Sequence, residues 1–412
     1  MRRSGEDTQA APGDPQDNAE GVGPLRIVVL VKTNQGGLFI LPQVDELRAR
    51  RHEVSAILPP GTGALTTELR RRGVIVYESP VDFTLRPSML AGLLRLRGLI
   101  RRLRPDVLQY HLISSAYVAR IATLGLPLRR VHMVAGPAYL DSPPIRTAER
   151  LLWRLDDRII CGCHYASRRY GDLGCPSPRR AVATYGVNTD DFAPRAWDGD
   201  DRAKARAELG IPQDAFLAVM VAYVYPPKRL VHRGRGVKGH DTLLRAWQVF
   251  TATHPRAHLL IVGGSTGPAG ERYRRRLIDQ FRVEADPTIT WLDTVADVRP
   301  CYHAADVSVS PSLGESHGAA VQAGAMGVPS IVSDAGGLPE TVDERSGWVA
   351  PRDHQTALVS ALAQAYRESE EGVLAARGAA ARSRMVDLFD NRRAAEHVAD
   401  LLEQVAAGAS AR

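Results

Sequence analysis

Long apolar runs are missing from this chain. No stretch approaches the eighteen or so residues of a membrane-spanning helix, and no signal peptide precedes the first apolar run, so the expected location is the cytoplasm. Cysteine is scarce: Cys161, Cys163, Cys175 and Cys301 show no metal-ligand spacing, because Cys161-Gly-Cys163-His164 lacks a second pair of ligands. They read as core thiols of a reducing compartment. Lysine is nearly absent, limited to Lys32, Lys204, Lys228 and Lys238, so the net charge of +7 comes mainly from arginine spread among 46 acidic residues. With aromatics at 6% and no module that interleaves them with basic residues, a nucleic-acid partner is not expected. The turn after the first apolar run, Lys32 to Gly37, does not carry the dinucleotide fingerprint GxGxxG, which argues against a nicotinamide-dependent oxidoreductase.

What is present is strand-helix alternation in both halves of the 412 residues, the pattern of an α/β fold with two domains. Met1 to Gly23 is polar and aperiodic and reads as a disordered leader. Leu25 to Val31 is a continuous apolar run, the signature of a buried parallel strand. A polar turn with Gly36 and Gly37 follows, then a helix to Arg50 with Leu38, Leu41, Val44 and Leu47 on one face, then a strand from His52 to Leu58. Further strands are expected at Val74 to Tyr77, Asp106 to His111, Arg130 to Ala135, Arg158 to Cys163 and Ala181 to Tyr185. Between them, Ser88 to Leu103 is a helix that alternates leucines with Arg95, Arg97, Arg101 and Arg102. Such a basic amphipathic helix either covers a sheet with its basic face in solvent or lies on an anionic membrane.

Pro194 to Asp201 is a polar linker that divides a first domain, 24–194, from a second, 195–390, with a last helix in 391–412. The second domain opens on a strand, Phe216 to Val224. A loop carrying Lys228, Arg229, Arg233, Arg235 and Lys238 comes next, ahead of a helix that begins near His240. Cations placed between a strand end and a helix start suit a phosphate. Strands at Leu259 to Gly264 and Ile289 to Leu292 continue the domain.

The most informative stretch runs from Asp306 to Pro351. Val307 and Val309 end in Pro311-Ser312, a short loop carries Glu315, a small-residue helix spans Ala319 to Met326, and Pro329 to Val332 returns as a strand. This βαβ unit puts Glu315 at the carboxyl end of a strand, where open parallel sheets bind ligands. Gly314 and Gly318 flank it and allow close backbone approach, and the helix start after it favours an anion. A second turn, Gly336-Gly337, precedes Pro339-Glu340, which is expected to open a further helix.

Four segments in this stretch, PSLGESHG, QAGAMGVP, SDAGGLPE and GWVAP, stand in the order of the motifs of the retaining, nucleotide-sugar-dependent glycosyltransferases of family 4, which the chain resembles. The resemblance implies two Rossmann-like domains facing across a cleft, the GT-B architecture, with the C-terminal helix crossing back to the first domain. It implies transfer of a glycosyl group from a nucleoside diphosphate sugar, most often linked to uridine, to an acceptor hydroxyl, with no metal or other cofactor. Glu315 then contacts the donor sugar, and Lys238-Gly239 matches the family's K-G, whose lysine meets the pyrophosphate. Lys228 and Arg235 are expected to add charge, with Gly36, Gly37, His317 and Gly318 also on the donor side. The acceptor side falls to His111, His132 and Gly136, where Ala135-Gly136 replaces the family's His-Gly. Tyr185 to Pro194 resembles the family's hinge motif, with Asn188 for its usual aspartate.

One departure concerns the second family glutamate. Gln322 stands in its place, an amide that still hydrogen-bonds a ribose diol but without the strength of a charge-assisted bond. The acceptor reads as a small molecule or natural product, with a polysaccharide or lipid-linked acceptor at the membrane surface as the alternative. A nucleotide-sugar-binding protein without catalysis is the reading of a different class.

Overall fold

The computed structural model describes residues 23–81, 89–194, 199–227, 234–265, 267–314 and 317–408. Glu315, Lys228 and the leader up to residue 22 lie outside the described residues.

The first domain alternates strands and helices: β1 (Arg26–Val31), α1 (Leu41–Ala49), β2 (Glu53–Leu58), α2 (Ala64–Arg71), β3 (Ile75–Glu78), α3 (Met89–Leu103) and β4 (Val107–His111). It continues with α4 (Ile113–Ala122), β5 (Arg129–Val134), α5 (Pro143–Leu152), β6 (Arg158–Cys161), α6 (His164–Asp172) and β7 (Arg180–Val182). All pairings are parallel, and the order 3-2-1-4-5-6-7 reverses between β1 and β4. Parallel strands buried on both faces need continuous apolar runs, and Ile27 to Val31 is almost wholly inaccessible.

The second domain repeats the scheme on six strands. It contains α7 (Gly199–Glu208), β8 (Phe216–Val221), α8 (His240–Thr251), β9 (Ala257–Val262), α9 (Gly267–Phe281), β10 (Ile289–Leu292) and α10 (Arg299–Ala304). Next come β11 (Val307–Ser310), α11 (Gly318–Ala325), β12 (Ser330–Ser333), β13 (Gly347–Ala350), α12 (Gln355–Glu370) and α13 (Leu374–Leu388). The order 10-9-8-11-12-13 reverses between β8 and β11. In such sheets the ligand crevice lies beyond the carboxyl ends of the strands at the reversal.

The last helix, α14 (Asn391–Ala407), returns to the first domain. Val398, Ala399, Leu401, Leu402 and Val405 are buried in one cluster with Leu41, Val44 and Leu47 of α1. Arg50 at the end of α1 is paired with Asp400 at 2.6 Å and with Glu403 at 3.3 Å. The outgoing and returning chains touch where they cross between domains: Val187 N donates to the Phe389 carbonyl, and Asn391 N to the Val187 carbonyl, at 2.9 and 3.0 Å. Gly186 makes that approach possible, since a Cβ there would be driven into the Phe389 carbonyl.

Several local expectations differ from the structure. Leu38 is 45% exposed, because the chain makes a separate 3-10 turn, Leu38–Ile40, before α1 begins. Pro339-Glu340 lies in one 3-10 turn, Leu338–Thr341, and opens no longer helix, since Val342 is already extended.

The core of the first domain encloses a charged network. Arg120 of α4 donates to Glu149 at 2.6 Å and to both oxygens of Asp156 at 2.5 and 3.0 Å. Tyr110 donates to Asp156, and Tyr170 to Glu149 at 2.8 Å. All three charged side chains are fully buried. Without the guanidinium two carboxylates would face each other out of water, so Arg120→Met is expected to lower unfolding free energy by about 3–5 kcal/mol. Denaturant titration measures this. Leu402→Ala, which empties a buried site between α14 and α1, is expected to cost about 2–5 kcal/mol in the same assay.

Candidate active site

The loops after β8 and β11 emerge side by side at the reversal of the second sheet and are fastened to each other. Leu313 N donates to the Val237 carbonyl at 2.8 Å, one residue before Lys238 and two before Glu315. Gly239 has a left-handed backbone, φ 73°, and lies so close to Pro311 that a Cβ would collide with the Pro311 carbonyl. Lys238, half-buried, is held between this contact and a turn closed by Gly239 N to the Gly236 carbonyl at 3.1 Å. Gly236 N in turn donates to the Tyr273 hydroxyl, at 3.1 Å.

Helix α11 starts at Gly318, where a Cβ would meet open space, and its capping residue is the buried His317. The ring of His317 sits 6.2 Å from that of Phe389. Gly337 packs against both His317 and Cys163, a residue of the first domain. Gln322 is half-buried on the same short helix. His317, Gly318 and Gln322 thus share one helix that begins beside the Lys238 loop.

Across the cleft, β1 and β4 end together at the reversal of the first sheet, with Val31 in register with His111. After β1, Thr33 Oγ1 accepts from Gln35 N and Gly36 N, at 3.3 and 3.4 Å, and Gly37 turns the chain at φ 90°. Asn34 Nδ2 donates to the Pro60 carbonyl at 2.9 Å, which ties the glycine turn to the start of α2. Gly36 is exposed and Gly37 half-exposed; Gly136, at the end of β5, is also partly exposed. These three remain at the cleft edge of the sheet.

The two histidines differ from what their positions suggest. His111 is fully buried under Phe39 and Tyr185, with ring centroids at 5.9 and 6.5 Å. Its Nδ1 lies 3.4 Å from the Tyr185 hydroxyl, and its Nε2 has no hydrogen-bond partner among the described residues. Burial pushes its pKa down to about 3, so the ring is neutral at pH 7. Leu112, next in the chain, has φ 71°, a backbone strain of the kind that accumulates at functional sites. His132 is placed elsewhere. It belongs to the charged core network, with Nδ1 3.2 Å from Arg120 Nη2 and 3.4 Å from the Tyr170 hydroxyl, and has no exposed surface. The family resemblance put it among the acceptor residues; its surroundings make it part of the domain core.

Arg235 is likewise engaged away from the Lys238 loop. Its Nε donates to Asp241 at 2.5 Å, its Nη2 to Thr242 at 2.7 Å, and its Nη1 pairs with Asp353. These two carboxylates, which also pair with Arg245, engage the guanidinium and reduce the charge it can offer a diphosphate.

One participant escaped the sequence. The Glu340 carboxylate, from the second domain, accepts His164 N at 2.8 Å and Tyr165 N at 2.6 Å at the start of α6 in the first. An anion at a helix start is favoured by the free amides and the helix dipole. Glu340 was visible inside SDAGGLPE, but its partner is 176 residues away.

Two outcomes follow. Gly239→Ala must move the Pro311 carbonyl and hold a side chain at positive φ, so it is expected to cost about 1–3 kcal/mol and lower thermal stability. For His111, the folded pKa lies below the ordinary value of 6.5. The unfolded chain takes up the proton first, so the stability that neutral His111 contributes is complete above pH ~6.5 and lost as pH falls towards 3. The urea midpoint of His111→Asn should therefore fall less between pH 7 and pH 5 than that of the parent chain.

The Glycosyl transferase 4-like domain family model matches residues 37–186, and that of Glycosyl transferases group 1 matches 227–368. The chain is 30% identical over 352 residues to the D-inositol 3-phosphate glycosyltransferase of Streptomyces scabiei, covering 76% of this chain and 75% of that protein. With the Mycobacterium tuberculosis protein of the same name it shares 29% identity, across 66% of this chain and 55% of that one. Among solved structures, Anabaena HepE in complex with UDP superimposes with a TM-score of 0.74 at 18% identity, over 92% of this chain and 100% of that one. Sucrose-phosphate synthase from Thermosynechococcus elongatus gives 0.75 at 19%, over 93% and 100%. With both halves matched, a relative that shares most of its length, and two parallel sheets facing across a cleft, the chain belongs to the family-4 glycosyltransferases of GT-B architecture.

Proposed function

We propose that this enzyme transfers a glycosyl group, with retention of configuration, from a nucleoside diphosphate sugar to a hydroxyl of a small-molecule acceptor in the cytoplasm. The observation that carries the reading is the backbone bond from Leu313 to Val237, which brings the Lys238 loop and the loop leading to Glu315 together at the head of α11.

The difficult event is departure of the nucleoside diphosphate, when negative charge gathers on its terminal phosphate. Cations and amides already aimed at that charge are the largest catalytic contribution available. Lys238 and the amides at the start of α11 have that role, and Glu315 grips the sugar. Gly36 and Gly37 approach the phosphates from the first domain. Gln322 bonds the ribose, Lys228 adds charge to the same loop, and His317 orients the head of α11. The leaving phosphate takes up the acceptor proton on the face from which it departs. Gly136 borders the acceptor side, with neutral His111 behind Phe39.

Uridine is the favoured base: HepE is a complex with UDP, and also with UDP-glucose. A polyol acceptor is supported by the relatives named for D-inositol 3-phosphate. A lipid-linked acceptor is the second reading, favoured by the exposed basic face of α3 described below.

Thermal-shift screening of nucleoside diphosphates and their sugars tests the donor. At a hundredfold excess over the dissociation constant the matching donor should add about 2.7 kcal/mol of stability. Lys238→Ala and Glu315→Gln should each reduce turnover of that donor by about 10²-fold or more, and EDTA should leave turnover unchanged. Background turnover unaltered in both variants would instead support a binding protein without catalysis.

A further inference from the structure

Two neighbouring helices of the first domain present a surface that their role in the core does not explain. Helix α3 buries Leu93, Leu96 and Ile100 against the sheet, yet Leu90 and Leu94 on its outer side are 68% and 64% exposed. On α4 and just after it, Ile121 and Leu124 are 46% and 49% exposed. These two pairs belong to one patch, because Arg97 of α3 donates to the Ala122 and Leu124 carbonyls at 3.0 and 2.7 Å. Leu94 and Arg101 lie one helical turn to either side of Arg97. Beyond the leucines Arg101 and Arg102 of the same helix, with Arg104 just after its end, surround a shallow concavity that Gly98 also lines.

The charge on this face has one sign. From Met89 to Arg130 the sole acid is Asp106, and it accepts from Arg26 N at 2.7 Å. We propose that the α3–α4 face docks on an anionic lipid surface, with Leu90, Leu94, Ile121 and Leu124 entering the headgroup boundary and Arg101, Arg102 and Arg104 meeting phosphate headgroups. Protruding aliphatic side chains beside unpaired-sign arginines are what an interfacial helix requires, and basic residues at an anionic leaflet act additively. A nucleic acid fits less well, since the exposed side chains of the two helices include no aromatic for stacking. A second copy in a two-fold contact would set the same arginines against one another.

The surface is separate from the donor loops, so its test is separate from theirs. The full-length chain is floated with phosphatidylcholine vesicles containing phosphatidylglycerol, and with phosphatidylcholine alone. Flotation with the anionic vesicles only, released by raised salt, is expected. R101E/R102E and L94Q/L124Q should each lower the bound fraction by about tenfold or more, while donor-induced thermal shifts stay as in the parent chain and report intact folding. No flotation with anionic vesicles overturns the proposal, as does binding undiminished in both variants. A dimer that L94Q/L124Q dissolves, seen by light scattering, would assign the face to a second copy and also overturn it.

Discussion

The hydrogen bond between Leu313 and Val237 is the constraint on which the donor side of the molecule depends. It links loops that leave different strands, β11 and β8, and it forms only because Gly239 lets the chain run against Pro311. A strand order that reverses between these two strands leaves room above them for a ligand. The loops fill that room with backbone amides, a lysine and the head of a helix. Fold and site are thus the same fact seen at two scales: the sheet's reversal creates the crevice, and two small contacts decide what lines it.

The two domains meet in several ways, and these differ in kind. Where the chain crosses and returns, Val187 and the segment from Phe389 to Asn391 exchange backbone hydrogen bonds, and α14 is fixed to α1 by buried apolar side chains. This connection is covalent in origin and expensive to break. Glu340 at the start of α6 is an exchangeable contact, one carboxylate accepting hydrogen bonds from two backbone N–H groups of the other domain. Gly337 against Cys163 is a third, with no room for a side chain between domains. A cleft that closes over a donor needs a firm pivot and contacts that can be remade, and the molecule supplies both.

Most of the strands were legible because a strand buried on both faces leaves a run of apolar residues, as in Leu25 to Val31 or Phe216 to Val221. The motifs around α11 were legible because glycine and proline punctuate them at fixed spacing. What the sequence concealed was decided by partners far away in the chain. Arg235 looked like a phosphate cation until Asp353, more than a hundred residues on, claimed it. The resemblance put His132 among the acceptor residues, although its alternating place on the strand already read as structural, and Arg120, Asp156 and Tyr170 converge on it from α4, the approach to β6 and α6. Leu38 kept helical spacing and still lay outside the helix, because Gly37 starts a 3-10 turn rather than α1. Spacing reports the periodicity of an element, and it is silent on which charges meet across elements.

The electrostatic consequence bears on the proposed chemistry. With Arg235 engaged by Asp241 and Asp353, which also pair with Arg245, the proposed role of the described part of the β8–α8 loop towards a diphosphate falls to Lys238 and to backbone amides. A lysine is a compact point charge with rotatable donors, whereas an arginine fork would fix the phosphate in one plane. In the ribose role proposed for it, Gln322 would act in the same direction, because an amide in place of a carboxylate removes a negative charge from the neighbourhood of a dianionic leaving group. The site therefore relaxes both the geometric and the charge demands on its donor relative to one built from an arginine and two glutamates. Under the proposed assignment, discrimination among donors then rests on Glu315 and on the shape of the cleft, so variation at that position should change sugar choice more than nucleotide affinity.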